Sequence, residues 1–128
     1  IDFKTNFWQM PQGGIDKDEE YFEAALRELK EETSIVSVRL VKEIDKQLTY
    51  ILPEELIGII WKGKFKGQTQ KWFVVKFIGD ESEINIKTKN PEFLDWKWID
   101  VNDLTDIAVN FKLNIYRSIK LELLKILN

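Results

Sequence analysis

The sequence contains no cysteine and no histidine among its 128 residues. The lack of cysteine excludes a disulfide scaffold, a thiol nucleophile and a Cys-ligated zinc site. The lack of histidine excludes an imidazole general base, a Ser-His-Asp triad and the usual imidazole metal sites. Catalysis would therefore depend on carboxylates, lysine, arginine, tyrosine, amides and the backbone. Any metal ion should be a hard one bound by oxygen, such as Mg²⁺ or Mn²⁺.

Features that would indicate a linker, a membrane-spanning segment or a positively charged surface for nucleic acid are also scarce. Six glycines and three prolines leave little room for a linker, and there is no internal repeat, so we expect a single domain over residues 1–128. No apolar run approaches the ~20 residues of a membrane span. A net charge of -3 gives no global basic field. The absence of cysteine suits a reducing cytosol, so we expect a cytoplasmic protein. We also expect a monomer without a membrane partner.

The pattern of apolar residues predicts a mixture of helices and strands. Strong helix formers fill residues 19–33, where Phe22, Leu26 and Leu29 lie on one face, and Asp16 or Asp18 is the expected N-cap. Further predicted helices cover 102–108 and 111–127, and predicted short strands cover 6–15, 37–44, 47–52, 71–78, 83–86 and 96–99. Residues 56–61 are expected to form another short element. This order favours an α+β fold, an α/β/α sandwich with a central mixed sheet.

Three glutamates lie on one stripe of the helix predicted over 19–33. Glu31 and Glu32 follow Glu28 by three and four residues, spacings at which a pair of like charges costs about 0.2–0.5 kcal/mol. A divalent cation reverses this cost because it needs several ionised oxygen ligands. Arg27 is placed to brace Glu31 at i+4 by a charge-assisted hydrogen bond. A solvated acidic face with ordinary Glu–Arg pairs explains the same helix when it is considered alone.

The segment from Gly13 to Ile35 resembles the Nudix box, G-x5-E-x7-R-E-U-x-E-E-x-G-U, where U is apolar. The matching residues are Gly13, Glu19, Arg27, Glu28, Leu29, Glu31, Glu32 and Ile35. The one departure is Ser34, which stands where the family has glycine. That glycine ends the helix in a left-handed conformation, so we expect serine to cost about 1 kcal/mol there.

The resemblance implies a fold and a chemistry. Nudix enzymes hydrolyse a nucleoside diphosphate linked to another group, using divalent cations held by the glutamates of the box. It implies more than one Mg²⁺ or Mn²⁺ ion, bound by Glu28, Glu31, Glu32 and a backbone carbonyl near Gly13. Glu31 and Glu32 are both candidates for the general base. Glu19 and Arg27 are expected to hold the loop-helix-loop in shape.

Similarity beyond the box extends to the bacterial RNA pyrophosphohydrolases, which share a subfamily with the dinucleoside polyphosphate hydrolases. It is carried by WQMPQGGI at 8–15, GQTQKWF at 67–73, EIN at 83–85, PEF at 91–93, WKW at 96–98 and Phe111-Lys112. It implies that Glu92 is a further metal ligand and that Phe111 stacks on the 5′-terminal base beside Val109 and Lys112. The expected phosphate contacts are Tyr50, Gln68 and Lys71.

Each of these residues also has a purely structural explanation. Phe111 could belong to the core at the start of the last helix, and Tyr50 could simply pack in a half-buried strand. An acidic residue such as Glu92 is unremarkable in a loop. The lysine-rich stretch 61–71 fits an RNA backbone contact, and it equally fits an edge strand protected by lysines.

The resulting hypothesis is a magnesium-dependent hydrolase that removes pyrophosphate from 5′-triphosphorylated RNA, or phosphate from diphosphorylated ends, in mRNA decay. The alternatives are a diadenosine polyphosphate hydrolase built on the same site and a non-catalytic nucleotide-binding or RNA-binding module. Relatives carry a strand-loop-strand unit before the segment 8–15. We therefore expect a missing N-terminal strand and uncovered apolar surface near Trp8 and the 71–78 strand.

Overall fold

The computed structural model describes residues 7–45, 47–51 and 67–127. Within these ranges the fold is α+β. The helices are α1 (Tyr21–Thr33), α2 (Leu104–Ile107) and α3 (Leu113–Leu127), and the strands are β1 (Val38–Glu43), β2 (Leu48–Ile51), β3 (Gly67–Gln70) and β4 (Phe73–Phe77). Short 3-10 turns cover Glu81–Glu83, Val101–Asp103 and Asn110–Lys112. The short element predicted over 56–61 lies outside the described residues.

The described strands form two antiparallel pairs. β1 pairs with β4 from Val38 opposite Phe77 to Glu43 opposite Phe73, with an irregularity between Leu40 and Lys42. β2 pairs with β3, and this register places Tyr50 opposite Gln68. The expected mixed sheet is not seen within the described ranges, where each strand has one antiparallel neighbour.

Helix α1 begins after a tight acidic turn. The amide of Glu19 donates to the carbonyl of Asp16 at 3.1 Å, and the amide of Asp16 donates to the Glu19 carboxylate at 3.0 Å. Asp18 adopts a positive φ of 65° inside this turn, which is a conformation that aspartate tolerates better than most residues. The N-cap is therefore Glu20, without a side-chain cap, and the prediction of Asp16 or Asp18 was wrong.

The end of α1 explains how serine replaces the expected glycine. Ser34 is left-handed, with φ of 68°, and its amide donates to the carbonyl of Lys30 at 2.8 Å. Its hydroxyl donates to the carbonyl of Asn85 at 2.8 Å, while the amide of Asn85 donates to the carbonyl of Thr33. These hydrogen bonds offset part of the strain and tie the 81–85 segment to the end of the helix.

Three predicted strands are not strands. Residues 7–15 run without ladder pairing, 83–86 begin at the last residue of a 3-10 turn and continue as irregular chain, and 96–99 are irregular. The Glu83 carboxylate instead accepts from the amides of Val36 and Ser37, at 2.9 Å each. The Trp98 ring stacks on Phe77 with 5.9 Å between centroids, so aromatic packing holds this segment against β4. Short aromatic runs do not distinguish this packing from a ladder.

The core lies between β2, α2 and α3. Its buried members are Ile44, Tyr50, Leu104, Ile115, Tyr116 and Ile119, and Leu123 packs against them. On α3, Ile115, Ile119 and Leu123 thus face the core, whereas Leu127 is 68% exposed at the helix end. The hydroxyl of Tyr116 accepts from the amide of Met10 at 2.9 Å, which fastens the 7–15 segment to α3.

A cleft of about 800 Å³ lies beside β4, between the 10–15 segment, α1 and α3. Its apolar lining includes Phe22, Leu29, Phe73, Val75, Ile119 and Leu123. Trp8 does not line this cleft. The Lys97 ammonium lies 4.3 Å from the centroid of the Trp8 ring. None of the helices in the described ranges is both long and apolar enough to span a membrane.

The two roles of Ser34 can be separated by substitution. Ser34→Ala loses the hydrogen bond to Asn85 and keeps the left-handed strain, whereas Ser34→Gly loses the bond and the strain together. We expect the glycine variant to be more stable than the alanine variant by about 1 kcal/mol in urea unfolding. Equal stability of the two variants would show that the left-handed conformation carries no cost.

Candidate active site

Arg27 connects the loop before α1 to the carboxylates on the helix. It donates to Glu19 through Nε (2.9 Å) and one terminal nitrogen (3.0 Å), and to the carbonyl of Gly14 at 2.8 Å. Its other terminal nitrogen donates to Glu28 at 2.7 Å and to Glu31 at 3.1 Å. These contacts raise the pKa of Arg27, with the Glu19 hydrogen bond as the largest cause, and they lower the pKa of Glu19. The expected Arg27–Glu31 contact is therefore present.

Gly13 is packed directly against the carboxyl group of Glu28. A Cβ atom built on Gly13 would collide with the Cδ, Oε2 and Cγ atoms of Glu28. At the neighbouring Gly14 a Cβ atom would meet nothing within 4 Å. Glycine is thus required at position 13 for close approach of the loop backbone to Glu28.

The carboxyl group of the buried Glu32 meets that of Glu92, a residue exposed at the surface. Glu32 is 2% exposed, and its side chain shares a hydrogen bond with Glu92. Burial, this hydrogen bond and the negative charges of Glu92 and Glu28 raise the pKa of Glu32 to about 9. The amide of Gln12 donates to Glu32 at 3.2 Å and opposes the shift. Without a cation, a buried carboxyl beside a second negative charge retains its proton, and here that carboxyl is Glu32.

Electrostatic coupling extends across all four acidic residues. Burial raises the pKa of Glu28, the Arg27 hydrogen bond lowers it, and the charges of Glu31 and Glu92 raise it further. Glu31, with a side chain 57% exposed, faces Arg27. No three acidic residues within the described ranges converge closely enough to hold a metal ion. The donor set nonetheless suits a hard divalent cation, because it contains only oxygens and a buried carboxyl, Glu32, whose ionised form such a cation favours.

A second cluster brings together three residues expected to bind substrate. Tyr50 is buried, and its ring centroid lies 5.6 Å from that of Phe111. The Lys112 ammonium lies 5.1 Å from the Tyr50 centroid, and Lys112 is only 6% exposed. Val109 starts the 3-10 turn, and its carbonyl accepts from the amide of Lys112 at 2.9 Å. Tyr50 therefore belongs to the core and contacts both Phe111 and the Lys112 ammonium.

Glutamines that sequence reasoning did not single out join the two clusters. The Lys112 ammonium donates to the side-chain oxygens of Gln9 at 2.8 Å and Gln12 at 3.1 Å. The Gln70 amide donates to the same Gln12 oxygen at 2.7 Å. The only signal in the sequence is that Gln9, Gln12 and Gln70 lie inside the segments 8–15 and 67–73 that carry the resemblance.

The remaining candidate residues are placed differently. Lys71 donates to the carbonyl of Ile44 at 2.8 Å and forms an ion pair with Glu43 at 3.1 Å, so it is engaged at the end of β1. The side chain of Gln68 and residues 61–66 of the lysine-rich stretch lie outside the described part of the chain. The proposed phosphate contacts of Lys71 and Gln68 stay predictions.

The packing at Gly13 leads to a matched pair of variants. Gly13→Ala would displace the Glu28 carboxyl group, and we expect it to weaken Mn²⁺ binding by about 10–100-fold in a calorimetric titration. Gly14→Ala is the control, since its added methyl group meets open space. Equal Mn²⁺ affinity in both variants would contradict the role given to the Gly13–Glu28 contact.

The raised pKa of Glu32 predicts a pH dependence in the metal-free protein. Because the folded pKa of about 9 exceeds the ordinary 4.5, the stability contribution is complete below 4.5 and is lost as the pH rises through 9. In EDTA, the free energy of unfolding of wild type should therefore fall relative to that of Glu32→Gln between pH 5 and pH 9. Urea unfolding measures this difference.

The control for this titration is Glu81→Gln, at an exposed position away from the cluster. Its stability difference from wild type should not vary with pH over the same interval. If the difference in free energy of unfolding between wild type and Glu32→Gln does not vary with pH, the assignment of a proton to Glu32 is wrong.

Comparisons with known proteins show which family the chain resembles. A family model described as NUDIX domain matches residues 2–119. An RNA pyrophosphohydrolase of Pelagibacter ubique (strain HTCC1062) is 58% identical over 128 residues, which cover 100% of this chain and 81% of that protein. An RNA pyrophosphohydrolase of Azorhizobium caulinodans is 48% identical over 123 residues, covering 92% of this chain and 73% of that protein.

A third relative, an RNA pyrophosphohydrolase of Wolbachia pipientis subsp. Culex pipiens, is 45% identical over 115 residues, covering 89% of this chain and 71% of that protein. The family model spans most of the chain, and the three alignments cover more than two thirds of each relative. The chain therefore belongs to the Nudix family and is a Nudix hydrolase.

Proposed function

We propose that this Nudix hydrolase is a magnesium-dependent RNA 5′ pyrophosphohydrolase, which acts in the cytoplasm in mRNA decay. The observation that carries the proposal is the contact of Glu32 with Glu92, beside a lysine–aromatic cluster suited to a phosphorylated nucleotide. The names of the similar proteins support the choice of RNA as substrate.

The metal site in this proposal is built from oxygen donors only. Glu28, Glu31, Glu32 and Glu92, with the carbonyl of Gly13, would hold more than one Mg²⁺ or Mn²⁺ ion. When bound, such ions neutralise the pyrophosphate and lower the pKa of an attacking water. The hydrogen bonds of Arg27 to Glu19 and Glu28 hold the loop in a fixed position beside α1, so that Gly13 and Glu28 remain in contact.

Proton transfer is assigned to the carboxylates of α1. Glu31 is the exposed member and Glu32 the buried one, and either can accept a proton from the attacking water. A positioned carboxylate base contributes typically about 10²–10⁴-fold to the rate. Removing the carboxylate charge at 31 or 32 should therefore lower kcat.

The substrate would be held through its terminal nucleotide and its phosphates. Phe111 would stack on the 5′-terminal base beside Val109 and Lys112, and such stacking is worth about 1–3 kcal/mol for any base. Tyr50, Gln68 and Lys71 would complete the contacts to the phosphates. The Lys112 ammonium lies over the Tyr50 ring, which packs against Phe111, and this suits a substrate that carries a base and a charge at one end.

Turnover of 5′-triphosphorylated RNA tests the proposal. Wild type should release pyrophosphate only when Mg²⁺ is present, and Glu31→Gln and Glu32→Gln should each lower kcat, by about 10²–10⁴-fold for the base. Product release is measured by thin-layer chromatography of labelled phosphates. Glu81→Gln is the matched control and should keep the wild-type kcat.

Two outcomes would redirect the assignment. A large preference in kcat/KM for diadenosine polyphosphate over RNA would contradict the RNA substrate and favour the dinucleotide hydrolase. Unchanged release by both Glu31→Gln and Glu32→Gln would contradict metal-dependent hydrolysis at this site and favour a binding module.

A further inference from the structure

We propose that Gln12 is a positioning residue, which orients Lys112 and Tyr50 against the carboxylates of α1 and so fixes where a 5′-phosphorylated nucleotide binds. This inference rests on the proposed function, since it assumes that Lys112 and Tyr50 contact the substrate. It concerns a residue outside the carboxylate set and outside the expected nucleotide contacts.

Gln12 contacts both clusters through different atoms. Its main-chain amide donates to the Glu32 carboxyl at 3.2 Å. Its side-chain oxygen accepts from the Lys112 ammonium at 3.1 Å and from the Gln70 amide at 2.7 Å. A further hydrogen bond joins its side chain to Tyr50. One residue thus links α1, β2, β3 and the turn before α3.

The carboxamide is the group that these contacts require. Its oxygen accepts from two donors, and its NH₂ group remains able to donate to a neighbouring hydroxyl. Lys112 has four single bonds in its side chain and loses much rotamer freedom when its ammonium is held in place. Gln12 supplies one of the acceptors that hold it, next to the Tyr50 ring.

The neighbourhood of Gln12 restricts its own movement. Gly13 follows directly and is packed against Glu28, while Met10 two residues earlier is bonded to Tyr116. The backbone at position 12 is therefore fixed from both sides. A side-chain substitution keeps the main-chain bond to Glu32, so that it changes the Lys112 side of the site and spares the carboxylate side.

The experiment measures equilibrium binding of a 5′-triphosphorylated RNA trinucleotide whose α,β-bridging oxygen is replaced by methylene, in Mg²⁺, by fluorescence anisotropy. Gln12→Met keeps the side-chain length but removes its hydrogen bonds, and we expect the Kd to rise about tenfold, as for loss of a bond to a charged group. Gln12→Glu restores an acceptor for Lys112, and its Kd should lie closer to that of wild type. The Mg²⁺ concentration that gives half-maximal pyrophosphate release should be the same in Gln12→Met as in wild type, and so should the Tm.

A double-mutant cycle tests whether Gln12 acts through Lys112. In the Lys112→Met background, Gln12→Met should produce no further increase in Kd. Gln47→Met is the matched control at an exposed glutamine and should bind as wild type. Additive effects of the two substitutions, or a Kd that rises only in proportion to a fall in Tm, would overturn the positioning role.

Turnover separates this inference from the function on which it rests. If wild type binds the analogue but does not hydrolyse the natural triphosphate, the proposed function fails while the binding cycle still decides the role of Gln12. If wild type hydrolyses RNA and Gln12→Met binds the analogue normally, only the inference fails. If wild type does not bind the analogue at all, the inference is overturned as well.

Discussion

The concentration of negative charge on one face of α1 is the constraint on which the rest of the structure depends. Glu28, Glu31 and Glu32 would repel one another in an isolated helix, and Glu92 adds a fourth carboxyl from a distant loop. Two devices stabilise the arrangement. Arg27 neutralises Glu28 and Glu31 through short hydrogen bonds, and the buried Glu32 retains a proton beside Glu92. A hard divalent cation can replace both the Arg27 hydrogen bonds and the retained proton in stabilising these carboxyl groups.

The loop before α1 connects the carboxylates of α1 to the residues that are expected to bind substrate. Its backbone packs on Glu28 at Gly13, donates to Glu32 at Gln12 and binds Tyr116 at Met10. The loop has no strand pairing of its own, because its polar groups are bonded to α1 and to the core instead. The position of the lysine–aromatic cluster is thus tied to the position of the carboxylates.

Local patterns predicted the elements whose contacts are local. The i, i+4 spacing of Arg27 and Glu31 predicted their hydrogen bond, and the apolar period predicted α1 and most of α3. Contacts across the chain had no local signal. The bond between Lys112 and Gln12 spans 100 residues, and Glu92 was placed near the helix only through the family resemblance. The strands predicted over 83–86 and 96–99 were wrong because side-chain hydrogen bonds and ring stacking took the place of a backbone ladder.

The central claim is that the carboxylates of α1 and Glu92 form a divalent-cation site. A crystal structure grown with Mn²⁺ tests it most directly, through the anomalous scattering of the ion. The account predicts an anomalous peak within bonding distance of oxygens from Glu28, Glu32 and Glu92, with Glu32 no longer sharing a proton with Glu92. Well-ordered Mn²⁺ bound elsewhere, with the Glu32–Glu92 hydrogen bond intact, would contradict it.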